Sequence, residues 1–178
     1  KFWLADTAKR IRLTLARSNV YKALPQVHGD LVFFCTSVLY MEEDAKDVAR
    51  FTVIPIGQFY LSRNSAGRVD TVYRVFDMTA RQMEEEFGLD NCSNQVKEAI
   101  TQNRPHTYFV VVHVVEPNKK REEGRGDYRG KKYKSCWFER NAPDVEDKLL
   151  RESGYDVFPF ACPRWSTTSE CAYGSGPG

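Results

Sequence analysis

The chain predicts an α+β fold in which N-terminal helices pack on mainly antiparallel sheets. Three observations carry that prediction. A helical hydrophobic period is confined to the first forty residues, a hairpin pattern occupies residues 59–76, and one long β-branched run occupies residues 106–116.

Residues 2–40 read as helical. Leu4, Ala8, Ile11 and Leu15 fall on one face, with Lys9, Arg10, Arg12 and Arg17 largely around the rest. Ser18-Asn19 either interrupts the helix or caps a second one beginning near Val20. In that second run Val20, Ala23, Leu24, Val27, Leu31, Phe34, Cys35 and Val38 keep the helical period, and Pro25 fits best in a first turn. The pattern then changes to short extended segments: a strand over 36–41, an acidic turn over 42–47, and strands over 50–56 and 58–62. Asn64 and Gly67 supply a tight reversal, and residues 68–76 return as the second arm of a hairpin. Its residues divide into two faces, Val69, Thr71, Tyr73 and Val75 against Asp70, Val72, Arg74 and Phe76.

Thr79 and Gln82 form a capping-box pattern that opens a short helix ending at Gly88. Ser93 caps another through Gln102, stopped by Asn103-Arg104-Pro105. The run HTYFVVVHVVE at 106–116 is apolar on both faces, as in a strand at the middle of a sheet or beneath a helical layer. Residues 118–134 are the compositional outlier, with eight basic residues (Lys119, Lys120, Arg121, Arg125, Arg129, Lys131, Lys132, Lys134) against three acidic ones. With Gly124, Gly126 and Gly130 the segment reads as a flexible exposed loop. Residues 133–139 resume as a strand, 145–152 are short helical or extended, and 157–163 are extended. No repeat or low-complexity linker occurs, so the expectation is a single domain over 1–178.

Hydrophobic content of 42% and charged content of 28% exclude a disordered chain, and no apolar run approaches the ~20 residues a membrane helix needs. A net charge of +2 is low for a dedicated duplex binder. Five scattered cysteines without a C-x-x-C pair read as reduced thiols of a cytoplasmic chain. Cys35, Cys136 and Cys162 sit in apolar runs, as inert core thiols do, and His113 reads as a core histidine. Neither His106 nor His113 has a partner at metal-ligand spacing, and no phosphate-binding Gly-Lys loop is present. The expectation is therefore no catalytic, cofactor or metal residues. The first residue is Lys and the last three are Gly-Pro-Gly, so the chain reads as a domain excised from a longer protein.

The most distinctive stretch is 149–178, LLRESGYDVFPFACPRWSTTSECAYGSGPG. Arg151, Glu152, Ser153, Gly154, Tyr155, Phe158, Pro159, Arg164, Trp165, Glu170, Tyr173, Gly174, Gly176 and Pro177 follow a pattern that resembles the head-to-tail connector (portal) proteins of short-tailed bacteriophages. The glycines permit a sharp turn, Pro177 suits the first turn of a helix, and Trp165 can anchor the segment by burying its ring. The likeness extends upstream. It takes in Ser18-Asn19-Val20-Tyr21, Phe34 to Asp44, Phe51, Ile54, Pro55, Gly57, Leu61, Gly67, Asp70, Arg74, Thr79, Gln82, Phe87-Gly88 and His113 to Pro117. Cys35 stands where a Gly is common in that family, Ser169 where a Gly precedes Glu170, and Ser175 where an Arg or Thr is frequent.

The resemblance implies the wing domain of a portal subunit, ending just before the stem helix. It further implies a homo-oligomeric, dodecameric ring at a capsid vertex, through which double-stranded DNA is packaged and ejected. Its partners would be the terminase motor, capsid or scaffold proteins and tail adaptor proteins, in the host cytoplasm during assembly and then in the virion. No membrane and no cofactor is implied. Without the channel helices, the piece is expected to assemble weakly or not at all. Two other readings stay open: a nucleic-acid-binding module using the loop 118–134, through Lys119, Lys120, Arg121, Arg125, Arg129, Lys131 and Lys132, and a hydrolase with a cysteine nucleophile.

Overall fold

The computed structural model describes residues 2–140, 142, 149–168 and 171–176. It divides into two compact units. One comprises Lys1–Gly57, Ser65–Val69 and Pro159–Gly178, the other Gln58–Asn64 and Asp70–Phe158.

The first unit opens with helices α1 (Phe2–Arg17) and α2 (Val20–Phe34). The break between them falls at Ser18-Asn19, where the Asn19 side chain makes no cap and reaches instead to a strand. Pro25 lies inside α2. It sits in the second turn, not the first, so the Tyr21 carbonyl loses an intrahelical donor. Strands β1 (Val38–Asp44) and β2 (Val48–Ile54) form a hairpin in register from Val38↔Ile54 to Asp44↔Val48. The acidic run is therefore strand as far as Asp44, where a turn confined to 42–47 was expected. The physical reason is cross-strand: Glu42 faces Arg50 and the two form an ion pair at 2.7 Å. The turn itself is held by Asp44, whose Oδ1 accepts from the N–H groups of Asp47 at 3.0 Å and Lys46 at 2.8 Å. Those two bonds hold its carboxyl below the usual range.

The core of this unit is Val20, Ala23, Val27, Leu39 and Phe51, with Leu15, Leu24 and Leu31 packed against it. The helical stripe thus lies on the apolar face of the hairpin.

The second unit is built on a five-stranded antiparallel sheet. In chain order its strands are β3 (Phe59–Arg63), β4 (Val69–Thr79), β5 (Tyr108–Pro117), β6 (Tyr133–Glu139) and β7 (Arg151–Tyr155), and they lie side by side in that same order. The β-branched run is the central strand, as its two apolar faces require. Helices α3 (Ala80–Phe87) and α4 (Asn94–Thr101) cover one face. Thr79 caps α3 through the expected box: its side chain accepts from Gln82 N–H, and Gln82 Oε1 accepts from Thr79 N–H at 2.9 Å. Ser93 caps α4 and also donates to Glu139 at 2.8 Å, tying the helix to β6. Met83, Phe87, Val96, Ala99, Val111 and Leu150 form the core, with Phe76, Phe109 and Trp137 against it.

Residues 145–148 lie outside the described residues, and Arg151 onward is strand. Of the extended stretch 157–163, only β8 (Phe160–Ala161) is strand; it pairs with β1, giving the first unit the sheet order β2-β1-β8.

Candidate functional site

The residues of the terminal motif converge on the end of α2. Cys35 ends that helix with φ 60, ψ 3, and its N–H returns to Leu31 O. The Cys35 carbonyl, past the last turn of the helix and so without an intrahelical donor, accepts the backbone N–H of Trp165 at 2.9 Å. One residue on, Thr36 bridges Arg164, and its hydroxyl accepts the N–H of Gly174 at 2.7 Å. Ser175 N–H closes the loop on Ser166 O at 2.9 Å. Arg164 donates to Ala172 O at 3.4 Å and Gly67 O at 3.3 Å, so a charged side chain satisfies carbonyls of two separate turns.

The motif glycines are there for room. A Cβ on Gly174 would stand 2.0 Å from the Cys35 carbonyl oxygen, and one on Gly176 would stand 2.8 Å from Cys35 Sγ. Trp165 is held through its backbone: the residue is 55% exposed, against the expectation that its ring is buried. Tyr173 is half-buried. Glu170 and Pro177 lie outside the described residues.

The basic loop is exposed, as expected, and carries bonds within itself. Arg125 sits between Glu122 and Asp127, both at 2.7 Å, and Arg121 donates to Gly130 O at 2.8 Å. Asn118 Nδ2 donates to the carbonyls of Arg129 and Lys131. Lys131 pairs with Asp156 at 2.5 Å and Lys134 with Glu152 at 3.0 Å. Arg129 lies over the Tyr128 ring, 5.7 Å from its centroid. Of the loop's eight basic residues, only Lys119, Lys120 and Lys132 stand exposed without an ion pair or ring contact among the described residues. The adjoining cavity of about 540 Å³ mixes Glu116, Glu122 and Glu152 with Lys119, Arg129 and Lys134. A surface compensated in this way holds little of the uniform positive field that a phosphate backbone selects.

The cysteines occupy unlike surroundings. Burial pushes the Cys162 thiol up to about 12 and raises that of Cys136. Cys92 is buried, its sulfur against the carbonyls of Met83 and Gly88. His113, 1% exposed, stacks on Trp137 with centroids 3.7 Å apart and shares a 2.9 Å hydrogen bond with Ser135 Oγ. Burial, and then the nearby Arg74 and Arg151 charges, lower its pKa to about 3. Among the described residues no group of three His, Cys, Asp or Glu is placed to hold a metal ion, and no helix is long and apolar enough to cross a membrane.

Backbone hydrogen bonds, glycine close approaches and a carbonyl-binding arginine thus hold the terminal motif against the end of α2. The chain belongs to the bacteriophage head to tail connecting protein family, whose model matches residues 1–178. It is 41% identical over 175 residues, 98% of this chain, to the portal protein of Salmonella phage epsilon15, and 34% identical over 177 residues, 99% of this chain, to the probable portal protein of Bordetella phage BPP-1. The chain spans about a third of the length of these relatives, 31% and 32%.

Proposed function

We propose that this chain is the wing part of a portal subunit, a structural component of the head–tail connector of a tailed phage or prophage. The observation that carries the reading is the 41% identity to the epsilon15 portal protein across 98% of the chain. In this reading identical subunits form a dodecameric ring at one capsid vertex, and double-stranded DNA passes through it during packaging and ejection. A terminase motor, capsid or scaffold proteins and tail adaptors dock on it, in the host cytoplasm and then in the virion. The chain does no chemistry of its own. Its clasp at Cys35 and Gly174 supports that role, because it fixes the Tyr-Gly-Ser-Gly segment against the end of α2.

The test is electron microscopy of the whole polypeptide that carries this chain, purified and negatively stained. Rings with a central channel are expected. Monodisperse monomers, or open filaments, would count against the proposal.

A further inference from the structure

The last turn of α2 is apolar at every position, Leu31-Val32-Phe33-Phe34. Leu31 packs against the core of its unit, but the other three stand open to solvent. Phe33 is 80% and Phe34 56% exposed, and their rings lie tilted with centroids 6.5 Å apart. Exposed Trp165 belongs to the same neighbourhood, because its N–H is bonded to the carbonyl of Cys35, the residue after Phe34. Helix ends turned to water commonly carry a basic side chain in the last turn, and α2 carries none there. Large apolar side chains gathered on a surface in this way mark a place of contact.

The course of the chain says what makes that contact. Thr36 Oγ1 holds the N–H of Gly174 at 2.7 Å, and Ser166 O holds that of Ser175 at 2.9 Å. Gly176 then runs so close to Cys35 that a Cβ on it would stand 2.8 Å from Sγ. The backbone is thereby fixed beside the open rings, on a path with room for glycine alone at two positions. The two residues after Gly176 reach at most about 7 Å. Whatever follows Gly178 in the whole polypeptide therefore starts close to Phe34 and Trp165. A segment tethered this tightly meets the patch at an effective concentration of roughly millimolar or above, ahead of a second copy or a free partner.

The length to supply such a segment rests on the portal reading, since this chain spans 31% and 32% of the portal relatives it matches. We infer that in the whole polypeptide the residues directly after Gly178 lie over Val32, Phe33, Phe34 and Trp165, as an apolar-sided segment of the same molecule. The clasp at Cys35 then has a second task. It aims the outgoing chain across the end of α2, and the rings give that chain a seat.

The experiment places benzoylphenylalanine at position 33 of the whole polypeptide, irradiates it, and maps the product by denaturing gel and mass spectrometry. The expected product keeps the mass of one polypeptide and links position 33 to residues shortly after Gly178. A product of doubled mass, a link to any other segment, or no link overturns the contact. Stability gives a second readout. Phe33→Ser/Phe34→Ser is expected to leave the urea midpoint of this chain unchanged, because both rings are already exposed. In the whole polypeptide the same pair is expected to speed proteolytic cutting just past residue 178 by about tenfold or more. Equal cutting rates with and without the substitutions would overturn the contact. Should the pair fail to fold, Trp165→Ser replaces it, since that residue is held through its backbone.

Rings with a central channel, in which the probe at position 33 links to a neighbouring copy, would leave the portal reading standing and remove this contact. Links within one molecule, from a polypeptide that forms no rings, would do the reverse.

Discussion

The Asn19 side chain grips the backbone of Phe51 at both ends: Asn19 Nδ2 donates to Phe51 O at 2.7 Å, and Phe51 N–H donates to Asn19 Oδ1 at 2.8 Å. Phe51 lies on β2, the outer strand of its sheet, so one primary amide takes the place of a missing neighbouring strand. An edge strand otherwise presents unpaired N–H and C=O groups. Replacing Asn19 by Ala removes both bonds at a part-buried site and is expected to cost about 1–3 kcal/mol in urea denaturation. An unchanged midpoint would mean that water serves Phe51 equally well.

Cys35 adopts φ 60, a conformation that side-chain-bearing residues enter at a cost of about 1–2 kcal/mol. Cys35→Gly relieves it, less the entropy that glycine loses on folding, so a gain of about 0.5–1 kcal/mol is expected. Differential scanning calorimetry reads this as a raised Tm.

Gly174→Ala has the opposite sign. The new Cβ would stand 2.0 Å from the Cys35 carbonyl oxygen, so the segment must withdraw from Thr36 and Trp165 N–H must lose its acceptor. A loss of at least ~2 kcal/mol is expected, with faster amide hydrogen exchange at Trp165 and Gly174. Unaltered exchange there would show that the clasp tolerates a methyl group.

Stability should fall on mild acidification through His113. Its folded pKa of about 3 lies below the ordinary 6.5, so the unfolded chain takes up the proton first. The contribution is complete above pH 6.5 and is lost as pH falls toward 3, at up to about 1.4 kcal/mol per pH unit. His113→Gln removes this dependence. The check is the difference between wild-type and variant urea midpoints from pH 7 to 4, which cancels carboxylate effects common to both.

The five thiols should separate by access. Cys171 is exposed and is expected to react first with a chromogenic disulfide, whereas buried Cys92, and Cys162 with its thiol raised to about 12, lag by orders of magnitude until urea is added. A single fast buried thiol would revive the reading of a cysteine nucleophile.

What was legible in the sequence was local. The Thr79–Gln82 box, the Ser93 cap and the bounds of β6 are set by residues within a turn or a strand of one another. The break at Ser18-Asn19 was visible too, but not its cause, because Phe51 lies 32 positions away in sequence. The acidic strand end was misread for the same reason: Glu42 looks like a turn residue until Arg50 is placed opposite it. Arg164, Trp165 and Gly174 could be singled out by pattern. That they meet at Cys35, where glycine is usual in the resembling family, depends on a carbonyl orientation that no periodicity encodes.

The bond between Thr36 and Gly174 joins residues 138 positions apart, and Asp70–Phe158 lies wholly between them. On the ribosome, therefore, the intervening unit emerges whole and is free to fold while the first still waits for its closing segment. The core of the first unit, from Leu15 to Phe51, emerges earlier still, so the order of synthesis leaves the clasp between Thr36 and Gly174 as the last part to be locked.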